Sequence, residues 1–263
     1  MPLSKQKVFI GDFEERARIA EKNWGRTDLY STGQPVLDRY FSGGFGRKNG
    51  YEIVLMYGQT GVGKSTVALN FMADAIRSGV KVGMLVLEDD MTDVSNRLKH
   101  ILGDTDYAKM NTTDNVRCLP EDAMNKKWNL PDLIEYIGAW YSDGIDLILL
   151  DHLQFAFENA ESIKGENEWN AQRIFMQDLN QLMKRVQKTV ILISHMNKAN
   201  GSKGMDRIVG SGSLAQAATK VIEIMDGDVP GTIELQLRKS RFTARPNHGY
   251  VMRMRDSKME PAT

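Results

Sequence analysis

The stretch 58–65 reads Gly-Gln-Thr-Gly-Val-Gly-Lys-Ser, and it decides the fold. An apolar, strand-like run at 52–57 leads into it, and a helix-forming run at 66–76 follows it. Glycines in such a strand–loop–helix unit let backbone N–H groups turn toward phosphate oxygens, and the helix points its positive end at the same anion. The flanking strand and helix disfavour an ordinary glycine-rich turn. The sequence therefore predicts a phosphate-binding loop for ATP or another nucleoside triphosphate.

The residues of this loop have separate expected roles. Lys64 would place a positive charge on the phosphates, and the Ser65 hydroxyl would ligate Mg²⁺, the expected metal. Nucleotide contacts are expected along the whole segment, from Gly58, Gln59, Thr60, Gly61, Val62, Gly63, Lys64, Ser65 and Thr66.

Composition limits the classes of protein that the chain can form. The 263 residues suffice for one large α/β domain, and Lys plus Arg equals Asp plus Glu at 34 each. Any nucleic-acid contact would therefore come from a local basic patch. One cysteine excludes a disulfide framework and a cysteine-based zinc site. Without a long apolar run or a signal core, we expect no membrane contact and a cytoplasmic protein, or a viral protein acting in the host cytoplasm.

Strand-like and helical patterns alternate after the loop. Short runs rich in Val, Ile and Leu indicate buried parallel strands at 81–87, 147–150 and 189–193. Helical patterns lie at about 92–102, 131–142 and 168–187. Further strands are expected at 220–225, 232–239 and 249–255, the last two antiparallel. The predicted fold class is α/β, with a mostly parallel central sheet covered by helices on both faces and antiparallel strands near the C-terminus.

The predicted organisation is one ATPase domain at 31–257 between an arm at 1–30 and a tail at 258–263. The arm contains an amphipathic helix pattern at 12–24. Its apolar face is formed by Phe13, Ala17, Ala20 and Trp24. This face would either pack on its own domain or dock, as a linker, on a neighbouring subunit.

Ionisable side chains stand at the ends of three predicted strands. Glu88 follows the run at 81–87, Asp151 follows 147–150, and His195 closes the third run. Because ligands bind beyond the carboxyl ends of parallel strands, these residues should meet beside the triphosphate. Asp151 is the expected carboxylate on the magnesium side, with a helix N-cap as the alternative.

Glu88 is the expected general base, since a carboxylate across from the γ-phosphate can orient and deprotonate the attacking water. Asp89 or Asp90 would take that role if the strand register were shifted, and a solvated loop acid is the alternative without function. His195 would hydrogen-bond the γ-phosphate or a water and so report whether phosphate is present, or else it is a core histidine.

With these residues, the chain resembles the motor domain of the RecA-like ring helicases, on the DnaB-type and phage primase-helicase branch. The resemblance spans about 30–255. It is carried by the segments 31–38, 58–65, 87–88, 147–152, 193–195, 210–216 and 238–243. It implies a RecA-like P-loop NTPase fold and a homo-oligomer, expected to be a hexamer.

The resemblance also implies roles for single residues. Glu88 would be the catalytic base and His195 the phosphate sensor. Arg241 is similar to the family's arginine finger, which enters the ATP site of the adjacent subunit, and Lys239 would be a second basic residue of that contact. Because these two lie two positions apart on a predicted strand, their side chains should point to the same face. A solvent-facing basic strand is the alternative.

The polar segment 196–216 is the candidate for nucleic-acid binding. In similar ring helicases the corresponding loops line the central channel and bind single-stranded DNA through its phosphates. The candidate contacts are Lys198, Lys203, Arg207, Gly210 and Ser211. The segment contains no aromatic residue, so binding should tolerate any base sequence and weaken with salt. A mobile loop without a nucleic-acid role is the alternative.

The leading hypothesis is an ATP-dependent helicase or translocase motor acting on single-stranded DNA in replication. A recombinase-like filament ATPase is the second hypothesis, and a non-enzymatic loader or regulator that uses ATP as a switch is the third. Neither a primase module nor a helical collar domain is recognised in the sequence, so a separate primase or loader is an expected partner.

Overall fold

The computed structural model describes residues 29–46, 50–119, 130–153, 168–196 and 213–262. Its strands are β1 (Glu52–Gly58), β2 (Val82–Val86), β3 (Val116–Cys118), β4 (Leu147–Asp151), β5 (Thr189–His195), β6 (Lys220–Asp226), β7 (Thr232–Ser240), β8 (Tyr250–Arg255) and β9 (Lys258–Pro261). Its helices are α1 (Pro35–Tyr40), α2 (Lys64–Arg77), α3 (Met91–Leu102), α4 (Asp104–Asn111), α5 (Leu130–Ser142), α6 (Glu168–Val186) and α7 (Ser213–Ala217). None of these helices is long and apolar enough to cross a membrane.

The strands form one sheet in the order β3-β2-β4-β5-β1-β6-β7-β8-β9. The first six strands in this order pair in parallel, and the last three continue the sheet in antiparallel fashion. The predicted fold class is thereby confirmed. The parallel pairing brings the carboxyl ends of β1, β2, β4 and β5 to one edge of the sheet, where the strand-end residues were expected to meet.

Two hydrophobic cores cover the two faces of the sheet. Successive residues of β1 alternate between them, since Val54 and Met56 belong to one core and Ile53, Leu55 and Tyr57 to the other. The first core is shared with α2 and α3, and the second with α5 and α6. Burial on both faces explains why the parallel strands read as continuous apolar runs rather than as alternating patterns.

The expected tail at 258–263 instead contributes the edge strand β9, which pairs with β8. Met259 is its core residue; its carbonyl accepts a hydrogen bond from Gln34 Nε2 at 2.9 Å, and its N–H donates to Asn70 Oδ1 at 3.0 Å. One buried side chain gives too weak an apolar pattern to predict a strand. For the same reason α4, which has no buried residue, and the three-residue β3 escaped prediction.

Candidate active site

The loop between β1 and α2 has the backbone that a phosphate-binding loop requires. Gly61 and Gly63 have φ angles of 85° and 93°, in the left-handed region that favours glycine, and Gly63 is the N-cap of α2. At Gly58, a Cβ atom would lie 2.3 Å from the carbonyl oxygen of Ile224, so a glycine is needed where β1 passes β6. The N-terminus of α2 therefore lies directly behind the loop, as an anion site requires.

A cavity of about 320 Å³ opens above this loop. It brings together most of the residues that the sequence predicts for catalysis and for the nucleotide: Thr60, Gly61, Gly63, Lys64, Ser65, Thr66, Glu88, Asp151 and His195. Three loop residues are not among its lining: Gly58 packs against β6, Gln59 offers its carbonyl to Lys64, and the Val62 side chain is buried in the core. The cavity thus gathers the ends of β1, β2, β4 and β5 around one space.

Lys64 is buried at the floor of the cavity. Its Nζ donates to the carbonyls of Gly58 at 3.2 Å and Gln59 at 2.9 Å, and it lies 3.3 Å from His195 Nδ1. Burial lowers the pKa of its ammonium group, while the charges of Asp151 and Glu88 raise it. An entering phosphate would offer this ammonium a charged acceptor, which is a stronger partner than the two neutral carbonyls.

Asp151 ends β4 beside Ser65 and is also buried. Burial raises the pKa of its carboxyl group to about 6, although a hydrogen bond with Ser65 lowers it. Its Oδ1 has no hydrogen-bond partner within the described chain. Because Mg²⁺ takes oxygen ligands, this free carboxylate oxygen and the neighbouring hydroxyl fit the predicted magnesium site.

The three consecutive acids after β2 have different surroundings. Asp90 is the N-cap of α3 and accepts a hydrogen bond from Thr92 N at 2.6 Å, which lowers its pKa. Asp89 lies 2.8 Å from Arg97, a residue of α3 that also lines the cavity. Glu88 instead faces two histidines across the cavity, and its side chain is half exposed. These surroundings favour Glu88 over its two neighbours as the general base.

His152 is a cavity residue that the sequence analysis missed. Its Nδ1 lies 3.1 Å from Glu88 Oε2, and its ring meets that of His195 edge-on, with 4.1 Å between centroids. His195 also reaches Thr60 Oγ1 at 3.3 Å through Nδ1. Burial lowers the pKa of both imidazoles, that of His152 to about 4, so both rings are neutral at pH 7. The position of His152, directly after Asp151 at a strand end, was the available signal.

Residues 32–201, about two thirds of the chain, match the AAA domain family. The chain belongs to the AAA domain family. Similar solved structures include the ATPase domain of a DnaB-type helicase (14% identity, TM-score 0.73, covering 98% of this chain and 100% of that one). They also include the RadB recombinase (18% identity, TM-score 0.66, 89% and 100% covered) and a KaiC-like protein from the hyperthermophilic archaeon Pyrococcus horikoshii OT3 (18%, 0.69, 90% and 100%). The RecA-like fold is thereby confirmed. No curated protein sequence matches the chain.

Lys239 and Arg241 lie at the opposite end of the sheet of this AAA domain. Arg241 N donates to Thr219 O, and Thr219 N donates to Ile53 O, which places Arg241 level with the start of β1. Ile53 precedes Gly58 by five residues, which is about 17 Å along a strand. That separation is longer than an arginine side chain can span, so Arg241 cannot reach the phosphate loop of its own copy.

The two basic residues share one set of acceptors. Lys239 Nζ donates to the carbonyls of Ala215 at 2.7 Å and Gln216 at 2.8 Å, and Arg241 Nη2 donates to Gln216 O at 3.2 Å. Burial and the charge of Arg241 lower the pKa of Lys239. The side chains therefore converge on α7, in agreement with the prediction that they point to the same face.

The nucleic-acid candidates Lys198, Lys203, Arg207, Gly210 and Ser211 lie outside the described residues, as does the predicted helix at 12–24. The ends of the segment that contains these candidates are defined. It leaves β5 next to His195, at the rim of the nucleotide cavity, and enters α7, which holds Lys239 and Arg241. In this AAA domain the segment therefore connects the two candidate halves of the active site.

Proposed function

We propose that the chain hydrolyses ATP at a site shared by two copies and uses that hydrolysis to move along single-stranded DNA, as a replicative helicase motor. One observation carries the proposal. Lys64, Asp151 and Glu88 converge at one end of the sheet, and Lys239 and Arg241 lie together at the other, out of reach of that cavity. A head-to-tail contact between identical copies would unite the two ends, and such contacts close into rings, of which a hexamer is expected here.

The described residues account for the steps of hydrolysis. Lys64 would exchange its loop carbonyls for phosphate oxygens, and Ser65 with Asp151 would hold Mg²⁺, which neutralises charge on the phosphates. Glu88 would accept a proton as the oxygen of water bonds to the γ-phosphorus and the bond to the departing ADP oxygen breaks. Arg241 of a neighbouring copy would stabilise the charge that spreads over the transferring phosphoryl group.

Coupling to DNA is supported by the position of the segment 197–212. It joins His195, which lines the nucleotide cavity, to α7, which holds the arginine of the next proposed interface. Phosphate contacts from Lys198, Lys203 and Arg207 would bind a single strand without reading its sequence. A separate primase or loader stays a predicted partner.

A recombinase-like filament ATPase is the second candidate, because the RadB recombinase has a similar fold over 89% of the chain. The helicase is favoured by the segment 238–243, whose basic pair lies where a contact between copies would need it. A regulator that only switches on ATP is the third candidate, and it would show almost no turnover.

The deciding experiment measures the ATPase rate against protein concentration, with and without a single-stranded oligonucleotide. The proposal predicts that turnover per copy rises with concentration and rises again with DNA. Full turnover by a single copy without DNA would refute it. Unwinding of a forked duplex, compared with strand exchange on a filament, then separates the first two candidates.

A further inference from the structure

Glu88, His152 and His195 form a cluster whose spacing is that of metal ligands. One ligand atom from each lies within 4.8 Å of the other two. Glu88 Oε2 is 3.1 Å from His152 Nδ1 and 3.9 Å from His195 Nε2. Two atoms bound to one zinc ion at about 2.1 Å lie about 3.4 Å apart at the tetrahedral angle, and about 3.0 to 3.9 Å apart over angles from 90° to 135°. Both measured separations fall within that range.

A second observation comes from the hydrogen bonds of His152. The residue is only 6% exposed, and its Nδ1 makes no hydrogen bond to any described residue, although it points at a carboxylate oxygen 3.1 Å away. Buried polar atoms are almost always satisfied by a partner. A metal ion between the nitrogen and the carboxylate would satisfy both atoms at once.

We propose that Glu88, His152 and His195 bind a divalent transition-metal ion, of which Zn²⁺ fits best. Two imidazoles and one carboxylate are ligands that zinc accepts, whereas Mg²⁺ takes oxygen ligands in octahedral geometry. The site is thus chemically distinct from the magnesium site at Ser65 and Asp151. Three protein ligands leave a fourth position on zinc for a water molecule or a phosphate oxygen.

The outer contacts of His195 are compatible with this role. With Nε2 bound to the metal, the neutral ring carries its proton on Nδ1, which lies 3.3 Å from Thr60 Oγ1 and can donate to it. Lys64 Nζ also lies 3.3 Å from this Nδ1, so metal binding would end that contact. Lys64 keeps the carbonyl of Gln59 at 2.9 Å as a partner.

The consequence rests on the role proposed above for Glu88. A carboxylate bound to zinc cannot accept the proton of the attacking water, and a bound His195 cannot contact the γ-phosphate. Zinc would therefore act as a reversible brake on ATP hydrolysis, independent of the Mg²⁺ that accompanies the nucleotide.

The test uses Co²⁺ as a spectroscopic substitute for zinc on the tag-free full chain, without nucleotide. Titration should give visible absorption bands that saturate at one ion per copy. The substitutions His152→Ala and Glu88→Gln should each weaken binding at least about tenfold, the scale on which even outer-shell changes act. His100→Ala, which removes an exposed histidine of α3, is the matched control and should bind as the unmodified chain does. Circular dichroism confirms that each variant is folded.

Unchanged Co²⁺ binding in both His152→Ala and Glu88→Gln would overturn the proposal, as would a chain that gives no bands. ATPase assays at constant Mg²⁺ should show inhibition by Zn²⁺, reversed by a chelator, and the remaining activity of His152→Ala should be at least about tenfold less sensitive. A chain that binds Co²⁺ but never hydrolyses ATP contradicts the proposed function alone. A chain that hydrolyses ATP but does not bind Co²⁺ contradicts the metal site alone.

Discussion

Two inactive variants should restore each other if the active site is shared between copies. Lys64→Ala removes the charge that binds phosphate but leaves Arg241 intact, and Arg241→Ala does the reverse. Because about 17 Å of strand separates the level of Arg241 from the phosphate loop of its own copy, Arg241 can complete only the site of a neighbour. Each variant alone should therefore lose most of its DNA-stimulated turnover; an arginine finger contributes about 10³- to 10⁵-fold.

The expected recovery follows from random mixing. In an equal mixture, half of the copies have an intact Lys64, and half of their neighbours have an intact Arg241. About one quarter of the interfaces are then complete, so turnover should return to about one quarter of the unmodified rate when the sites work independently. Strict coordination around a ring would lower that fraction, but an arginine acting within its own copy would give no recovery.

The assay is ATP hydrolysis with single-stranded oligonucleotide, after the two variants have been mixed and allowed to exchange subunits. Native mass spectrometry would verify that mixed assemblies have formed. Arg253→Ala, on an exposed position of β8, is the control for loss of an arginine and should retain full turnover. If mixed assemblies form and activity stays at the level of the separate variants, the shared site is refuted.

Three further predictions concern the acids and the DNA segment. Glu88→Gln should keep ATP binding and lose about 10²-fold or more in hydrolysis, whereas Asp90→Ala should lower the free energy of unfolding by about 1 kcal/mol through loss of its helix cap and retain turnover; the opposite pattern would make Asp90 the base. Double substitution of Lys198 and Lys203 by alanine should weaken single-strand binding and flatten its salt dependence, and an unchanged slope would place the DNA contact elsewhere. The matched control is the double substitution of two exposed lysines on α3 and α4, Lys99 and Lys109. Since burial raises the pKa of Asp151 from 3.8 to about 6, the folded chain binds this proton more tightly than the unfolded chain, and the cost of burying the charge is removed as pH falls through 6. Without Mg²⁺, Asp151→Asn should therefore be more stable than the unmodified chain by up to about 3 kcal/mol at pH 7, with the difference vanishing near pH 4, and equal denaturation midpoints at pH 7 would contradict this.

The parts of the site that sequence analysis found are those set by chain order. Lys64 and Ser65 follow from the loop itself, and Glu88, Asp151 and His195 follow because each comes after an apolar strand, whose carboxyl end must reach the same edge of a parallel sheet. The nine-stranded sheet was largely predictable for the same reason. Where a segment buries little, as in α4 and β9, its sequence carries no pattern to read.

Contacts set by packing between elements were not predictable. Arg97 reaches the cavity because α3 packs beside it, and no spacing in the sequence encodes that approach. His152 needed the angle at which its ring meets His195, and the separation of Arg241 from its own loop needed the register of β6 against β1 and β7. Side-chain direction and strand register, rather than residue identity, decide these features.

The topology also suggests how one ATP site could influence the next. Within each copy, His195 lines the nucleotide cavity, and the carbonyl of Gln216 holds Arg241, which is proposed to enter a neighbouring site. The segment 197–212 is the only covalent path that joins these two positions directly, and it carries the candidate DNA contacts. A shift of His195 on loss of the γ-phosphate would therefore act first on the DNA-binding segment and then on the arginine of the next interface. In a ring, that order would make hydrolysis at successive sites sequential, with DNA passed from one copy to the next.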